Sequence, residues 1–75
     1  MQENELREMI KDFNMPNKEL FIRFFQMRFP NESPNIKGYV TEWVERFLKA
    51  DPTKHMDSES FICYQVAINE VENET

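Results

Sequence analysis

The sequence predicts an all-α fold, a small single domain of four helices with short connections. Apolar residues recur at intervals of three and four along most of the chain, which is the periodicity of helices with one buried face. Glycine occurs once in 75 residues, so a hairpin-rich architecture is not expected. A chain of this length can enclose one small hydrophobic core. We therefore expect residues 1–75 to form one helical domain.

The first two helices are bounded by prolines. The apolar stripe of the first helix covers residues 3–13, and Pro16 prevents its continuation because the residue before a proline is driven out of helical geometry. The second helix is expected over residues 18–29, with Asn17 at its N-cap and Pro30 at its end. Both boundaries follow from local backbone chemistry.

The last two helices begin at capping residues. The third is expected over residues 34–50, where Ser33 is a favourable N-cap. The fourth is expected over residues 58–72, with Asp57 or Ser58 at its N-cap. The apolar faces of the four helices predict a core made of the following side chains: Leu6, Ile10, Phe13, Leu20, Phe24, Val40, Trp43, Phe47, Phe61, Tyr64 and Ile68.

The second helix is apolar around much of its circumference, so we expect it to be central. It carries more aromatic residues than one side of a small core requires. One interpretation is that all of them pack inside the domain. The alternative is that Ile22, Phe25 and Phe29 form an exposed apolar patch that binds a partner protein.

Charge is unevenly distributed along the chain. The net charge is −5, and residues 57–75 hold five acids without Lys or Arg, whereas residues 18–54 hold seven bases and five acids. This pattern is typical of a mixed solvated surface, or it indicates a basic face for nucleic acid or an acidic partner. The candidate contact residues on such a face are Arg23, Arg28, Lys37, Arg46 and Lys49.

Several of these bases have an acid four residues earlier, and we expect them to be partly paired with it. The pairs are Glu19 with Arg23, Glu42 with Arg46, and Glu45 with Lys49. No reading-helix signature accompanies the bases. An acidic inhibitor of a DNA-binding protein, acting through the carboxyl-terminal acids, is a further hypothesis.

The sequence holds no motif for catalysis or for a cofactor. Nucleotide hydrolysis needs a glycine-rich loop followed by lysine, and Gly38 stands alone. Structural zinc needs about four Cys or His ligands, and only Cys63 and His55 are present. We expect no catalytic, cofactor or metal site. We also expect a cytoplasmic protein without a membrane span, because the amino terminus is acidic and no long apolar run occurs.

Residues 39–47 read Tyr-Val-x-x-Trp-x-x-Arg-Phe, and residues 56–64 read Met-Asp-x-x-Ser-x-x-x-Tyr. This arrangement resembles the small accessory protein encoded beside, or as the tail of, the UvsW recombination helicase of T4-type bacteriophages. The resemblance implies a phage protein in the host cytoplasm that works in DNA recombination, replication-fork repair or branched-DNA processing. Any unwinding would belong to a partner helicase, and no functional residue is carried over from the family.

The sequence predicts a non-catalytic helical protein that binds a partner, and the resemblance implies an accessory protein that binds a protein or nucleoprotein partner and is associated with a helicase. The alternative is a protein-interaction or regulatory module that uses the Phe-rich second helix and never contacts DNA. Salt dependence separates the two, because phosphate contacts weaken steeply as salt rises.

Overall fold

Four α-helices form the secondary structure of the part that the structure describes, residues 2–31, 37–49 and 51–74. The structure is a computed structural model, and within these ranges it contains no strand. The all-α fold predicted from the sequence is confirmed. The helices are α1 (Glu3–Ile10), α2 (Lys18–Arg28), α3 (Lys37–Leu48) and α4 (Ser58–Asn73).

Helix α1 ends three residues before the expected boundary at residue 13. The Phe13 N–H donates to the Ile10 carbonyl at 3.0 Å, and the Met15 N–H donates to the Phe13 carbonyl at 3.1 Å. These short-range bonds turn the chain before Pro16 and bury Met15. The apolar stripe therefore continues beyond the helix, which is why periodicity alone placed the boundary too late.

The other helices match the expected boundaries closely where the structure describes them. Helix α2 ends one residue early, α3 ends at Leu48 although residue 50 is its expected end, and α4 ends one residue late. Asn17 and Asp57 occupy the N-cap positions of these two helices, although neither side chain makes a capping hydrogen bond. The expected start of α3 at residue 34, and Ser33 as its N-cap, lie outside the described residues.

Helix α2 is the centre of the fold, as its sequence predicts. It packs against α4 and α1, and its aromatic side chains reach α3. The Phe24 ring lies 5.0 Å from the Trp43 ring, 5.4 Å from Phe47 and 6.3 Å from Tyr64, measured between centroids. This cluster connects α2, α3 and α4 through one fully buried side chain.

The exposed patch expected on α2 is wrong for two of its three members. Ile22 is 1% exposed and Phe25 is 0% exposed, while Phe29 is partly buried with its ring 4.8 Å from that of Phe25. The physical reason is that neighbours cover α2 on several sides. Side chains away from its main apolar row are therefore buried as well.

Most of the other expected core residues are buried or packed against the core. Leu6, Ile10, Phe24, Val40 and Trp43 are buried, and Phe13, Leu20, Phe47 and Tyr64 pack partly buried against them. Ile68 is half-buried.

Phe61 was expected in the core but is 45% exposed, because α4 turns a different face inward. That inner face consists of the small residues Ser60, Cys63 and Ala67. Small side chains let the α4 backbone approach α2 closely, and this leaves the bulkier neighbours of these residues outside.

Candidate functional site

Two adjoining clefts lie where the end of α3 meets the α3–α4 connection. The first, here called the basic cleft, has a volume of about 550 Å³. The second, the aromatic cleft, has a volume of about 400 Å³, and its walls include Phe29, Tyr39 and Trp43. Arg46 and His55 line both clefts, so the two form one continuous surface. The basic cleft is lined by Arg46, Lys49, Asp51, Pro52, Lys54 and His55.

Within the described residues, the cations of the basic cleft have no carboxylate partner. Among the described residues, no acidic side chain lies within 4.0 Å of the charged nitrogens of Arg46, Lys49 or Lys54. Elsewhere, Arg7 and Arg28 each bind two acids. Four cations elsewhere are thus paired, whereas the three cations of the basic cleft have no acidic partner within the part of the chain that the structure describes.

The ion pairs expected within single helices do not form among the described residues. No salt bridge joins Glu42 to Arg46 or Glu45 to Lys49, although both pairs have favourable spacing on α3. Exposed pairs of this kind are worth only a few tenths of a kcal/mol, about 0.3 to 0.5. Other contacts therefore determine where these side chains lie. For Arg46 that contact is with the ring of Trp43.

The expected pair of Glu19 with Arg23 is also replaced by longer-range pairs. Glu19 accepts two hydrogen bonds from Arg7 of α1, each of 2.9 Å, and this interaction lowers the pKa of the Glu19 carboxyl. Arg23 instead binds Glu74 at the end of α4. Both interactions join different parts of the chain.

Arg46 is positioned by the indole of Trp43. The guanidinium carbon lies 4.5 Å from the centroid of the Trp43 ring, within the range of a cation–π contact. Trp43 itself is only 7% exposed and therefore forms a rigid support. The contact holds the positive charge of Arg46 at the junction of the two clefts.

The connection from residue 51 to residue 56 brings Lys54 and His55 beside the end of α3. Asp51 accepts hydrogen bonds from the Thr53 N–H at 3.0 Å and the Thr53 hydroxyl at 2.6 Å, and these bonds lower the pKa of the Asp51 carboxyl. The Met56 N–H closes the turn by donating to the Thr53 carbonyl at 3.2 Å. The only carboxylate of the basic cleft is thus engaged within its own turn, beside three cations.

The aromatic cleft contains one exposed ring, Tyr39, which lies near the partly buried ring of Phe29 and the buried ring of Trp43. Tyr39 is 58% exposed, and its centroid lies 6.3 Å from that of Phe29. Phe29 in turn lies 6.4 Å from Trp43. Glu42 and Asp57 also line this cleft, so its wall is mixed in charge. Tyr39 offers a flat apolar surface in the cleft that Arg46 also lines.

Arg28 was a candidate contact residue, and the structure engages it in the fold. Its Nε donates to the Ser60 hydroxyl at 2.9 Å, and its terminal nitrogens lie 3.6 Å from oxygens of Asp57 and Glu59. Hydrogen bonding from Ser60 lowers the pKa of Asp57, and the charge of Arg28 lowers it further. Arg28 therefore connects the end of α2 to the start of α4.

The five candidate bases thus separate into different environments. Arg46 and Lys49 are three residues apart, and both line the basic cleft. Arg28 lines the aromatic cleft but is engaged by α4, and Arg23 lies in neither cleft. The side chain of Lys37 lies outside what the structure describes. The sequence pattern did not identify Lys54, His55 and Tyr39 as residues that line the clefts. For Lys54 and His55, the available signal was the turn that begins at Asp51-Pro52.

The described residues contain no group of three or more His, Cys, Asp or Glu side chains that could hold a metal ion. Cys63 is buried on the inner face of α4, and burial raises the pKa of its thiol. None of the helices in the described ranges has the length and apolar character needed to cross a membrane.

No family model, curated protein or solved structure matches this chain. The two clefts combine an exposed aromatic ring with cations that have no acidic partner among the described residues. Phosphates bind such cations and unpaired bases stack on such rings, so the surface is chemically suited to a single nucleic-acid strand.

Proposed function

We propose that this protein is a non-catalytic accessory protein that binds single-stranded segments of DNA through the basic and aromatic clefts. In this proposal the cations of the basic cleft contact the strand's phosphates, and the Tyr39 ring stacks on a base. The observation that carries it is the grouping of Arg46, Lys49 and Lys54 without acidic partners among the described residues.

The proposed setting is DNA recombination or replication-fork repair in a T4-type phage, beside a helicase. The support for this setting is the resemblance of residues 39–47 and 56–64 to the small protein encoded next to that helicase. Forks and branched intermediates expose short single strands beside duplexes. A small protein with a single basic surface is suited to such a short segment, and its overall charge of −5 disfavours binding along extended DNA.

The alternative function is a protein-interaction or regulatory module without DNA contact, including an acidic inhibitor of a DNA-binding protein. The sequence assigns the partner contact of such a module to the Phe-rich α2. Because Ile22 and Phe25 are buried, such a module would have to use another surface.

The test is a fluorescence anisotropy titration of labelled single-stranded, forked and blunt duplex DNA at low salt. We expect saturable binding to single-stranded and forked DNA and weaker binding to the blunt duplex. The double substitution Arg46→Ala with Lys49→Ala should weaken binding by about tenfold or more, because two phosphate contacts are lost.

The matched control is Lys11→Ala with Lys18→Ala. It removes the same formal charge, and neither lysine lines either cleft. The control should bind nearly as tightly as the unaltered protein. Equal losses in the two double variants would show that total charge, and not the basic cleft, sets the affinity. Absence of binding at low salt would refute the function.

Tyr39 allows a separate test of base stacking. Tyr39→Ala should weaken single-strand binding by about fivefold or more, which corresponds to the lower end of measured stacking energies, about 1 kcal/mol per base. Tyr39→Phe keeps the ring and should bind like the unaltered protein. If the two variants bind equally well, the ring does not stack on a base.

A further inference from the structure

The outer face of α4 is unusually poor in charge. Residues 60–69 contain no charged side chain, in a protein in which 31% of residues are charged. The inner face explains part of this stretch, since Ser60, Cys63 and Ala67 are buried. A solvated outer face would ordinarily carry charges, as the exposed side of an amphipathic helix does. The uncharged outer face is therefore unexplained by the fold.

Large apolar side chains occupy this outer face. Phe61 is 45% exposed, Ile62 is 62% exposed and Val66 is 40% exposed. Ile62 and Val66 are four residues apart and are therefore neighbours on the helix surface, and Phe61 lies about 100° around the helix from Ile62. Single exposed apolar residues are ordinary, whereas an adjacent group of them marks a surface for a partner protein.

The charges that α4 itself carries have a single sign, and the cations nearest to them, Arg28 and Arg23, belong to α2. Exposed Glu59 lies before the uncharged stretch and exposed Glu70 lies after it, and residues 57–75 contain no Lys or Arg. Glu59 also lies 3.6 Å from Arg28, which leaves Glu70 as the more available charge. A partner that covers the apolar residues would gain electrostatic attraction from bases at its own flanks.

A second copy of this chain fits the surface less well. Two α4 helices packed antiparallel across a twofold axis would place Glu59 of one copy near Glu70 of the other. Packed parallel, they would place each acid beside its own counterpart. Both arrangements bring like charges together without a base on either helix. Repulsion between these acids therefore favours a partner other than a second copy of this chain.

We propose that the outer face of α4, centred on Phe61, Ile62 and Val66, binds an amphipathic helical segment of a partner protein whose apolar residues are flanked by Lys or Arg. This mode matches a general form of recognition in which a helix presents apolar residues at intervals of three and four. None of the three residues lines the basic or the aromatic cleft. The inference therefore stands independently of DNA binding.

The experiment is a selection from a random 16-residue peptide library displayed against the immobilised full chain. We expect the enriched peptides to combine apolar residues at helical spacing with a net positive charge. Each peptide's affinity is then measured by anisotropy for the unaltered protein and for Ile62→Ser with Val66→Ser. This variant keeps the charge of the protein, and it should bind about tenfold or more weakly, because central apolar contacts carry most of the affinity in such interfaces.

Leu48→Ser is the matched control, because Leu48 is 48% exposed on α3, outside α4 and outside both clefts. It should leave peptide affinity unchanged. Circular dichroism of each variant confirms that the helices are intact, and Phe61→Ser provides a second α4 variant if the double one is unfolded.

Several outcomes would overturn the inference. Failure to enrich any peptide would do so, as would enriched peptides without a positive bias or peptides that bind the α4 variants undiminished. A concentration-dependent dimer in sedimentation equilibrium that is abolished by the α4 substitutions would identify a second copy as the occupant instead. DNA binding by the α4 variants is measured in parallel, and it should remain normal.

Discussion

Replacing Arg28 with alanine should destabilise the fold while leaving the basic cleft intact. The Arg28 Nε donates a 2.9 Å hydrogen bond to Ser60, a side chain that is 0% exposed. Hydrogen bonds that involve a charged group contribute about 1.5 to 3 kcal/mol. The guanidinium also lies 4.8 Å from the centroid of Phe29, a contact worth about 0.5 to 1 kcal/mol near the surface. The salt bridges to exposed acids add little.

The expected cost of Arg28→Ala is therefore about 2 to 4 kcal/mol, which corresponds to a fall of at least about 8 °C in Tm for a domain of this size. A domain of this length has a total stability of about 4 to 11 kcal/mol, so the loss is a large fraction of the total. Urea unfolding followed by the fluorescence of Trp43 measures the change, since this single tryptophan is buried in the folded state.

A double-mutant cycle isolates the bond itself. Arg28→Ala, Ser60→Ala and the combined variant should give a coupling free energy of about 1 kcal/mol or more. Arg46→Ala serves as a comparison, because Arg46 has no acidic partner among the described residues and should cost less than about 1 kcal/mol. A coupling free energy below about 0.5 kcal/mol would refute the proposed connection between α2 and α4.

Two further predictions concern the core and the pH dependence of stability. Phe24→Ala should lower the free energy of unfolding by about 3 to 5 kcal/mol in urea unfolding followed by circular dichroism, because the Phe24 ring contacts α3 and α4; a cost below about 2 kcal/mol would contradict this role. Arg7 holds the pKa of Glu19 below its ordinary value, so this carboxylate stabilises the fold above an ordinary pKa of about 4.3, and its contribution is lost as the pH falls through the lowered folded pKa. Glu19→Gln should therefore have a lower Tm than the unaltered protein at pH 7, and the two should converge near pH 2; a constant difference would show that the charge of Glu19 is not responsible.

The number and order of the helices could be predicted because their signals are local. Prolines 16 and 30 and the intervals of three and four residues act within a few positions of the boundaries that they determine. The rotation of α4 could not be predicted in this way. Its sequence is apolar on two faces, with Phe61 and Ile62 beside Cys63 and Ala67, so periodicity does not distinguish inside from outside. Close packing of small residues and the bond from Arg28 to Ser60 decide between them.

The candidate site likewise has one part that follows from local sequence signals and another that depends on how the chain folds back. Arg46 lies near the end of α3 and Lys49 directly follows it, with the Lys49 N–H donating to the Arg46 carbonyl, and both belong to the set of bases that the sequence predicted. Lys54 and His55 join them only because the turn after Asp51 folds back toward the helix, a geometry that depends on specific hydrogen bonds. The burial of Ile22 and Phe25 could not be predicted either, because the exposure of a side chain depends on how many neighbours cover its helix.

The salt dependence of single-strand binding tests the central claim most directly. If Arg46, Lys49 and Lys54 each contact one phosphate, the logarithm of the association constant should fall with the logarithm of salt concentration with a slope of about −2. Removing Arg46 and Lys49 together should reduce that slope to about −0.7. A slope near zero for the unaltered protein, or the same slope in the double variant, would contradict binding of a nucleic-acid strand at the basic cleft.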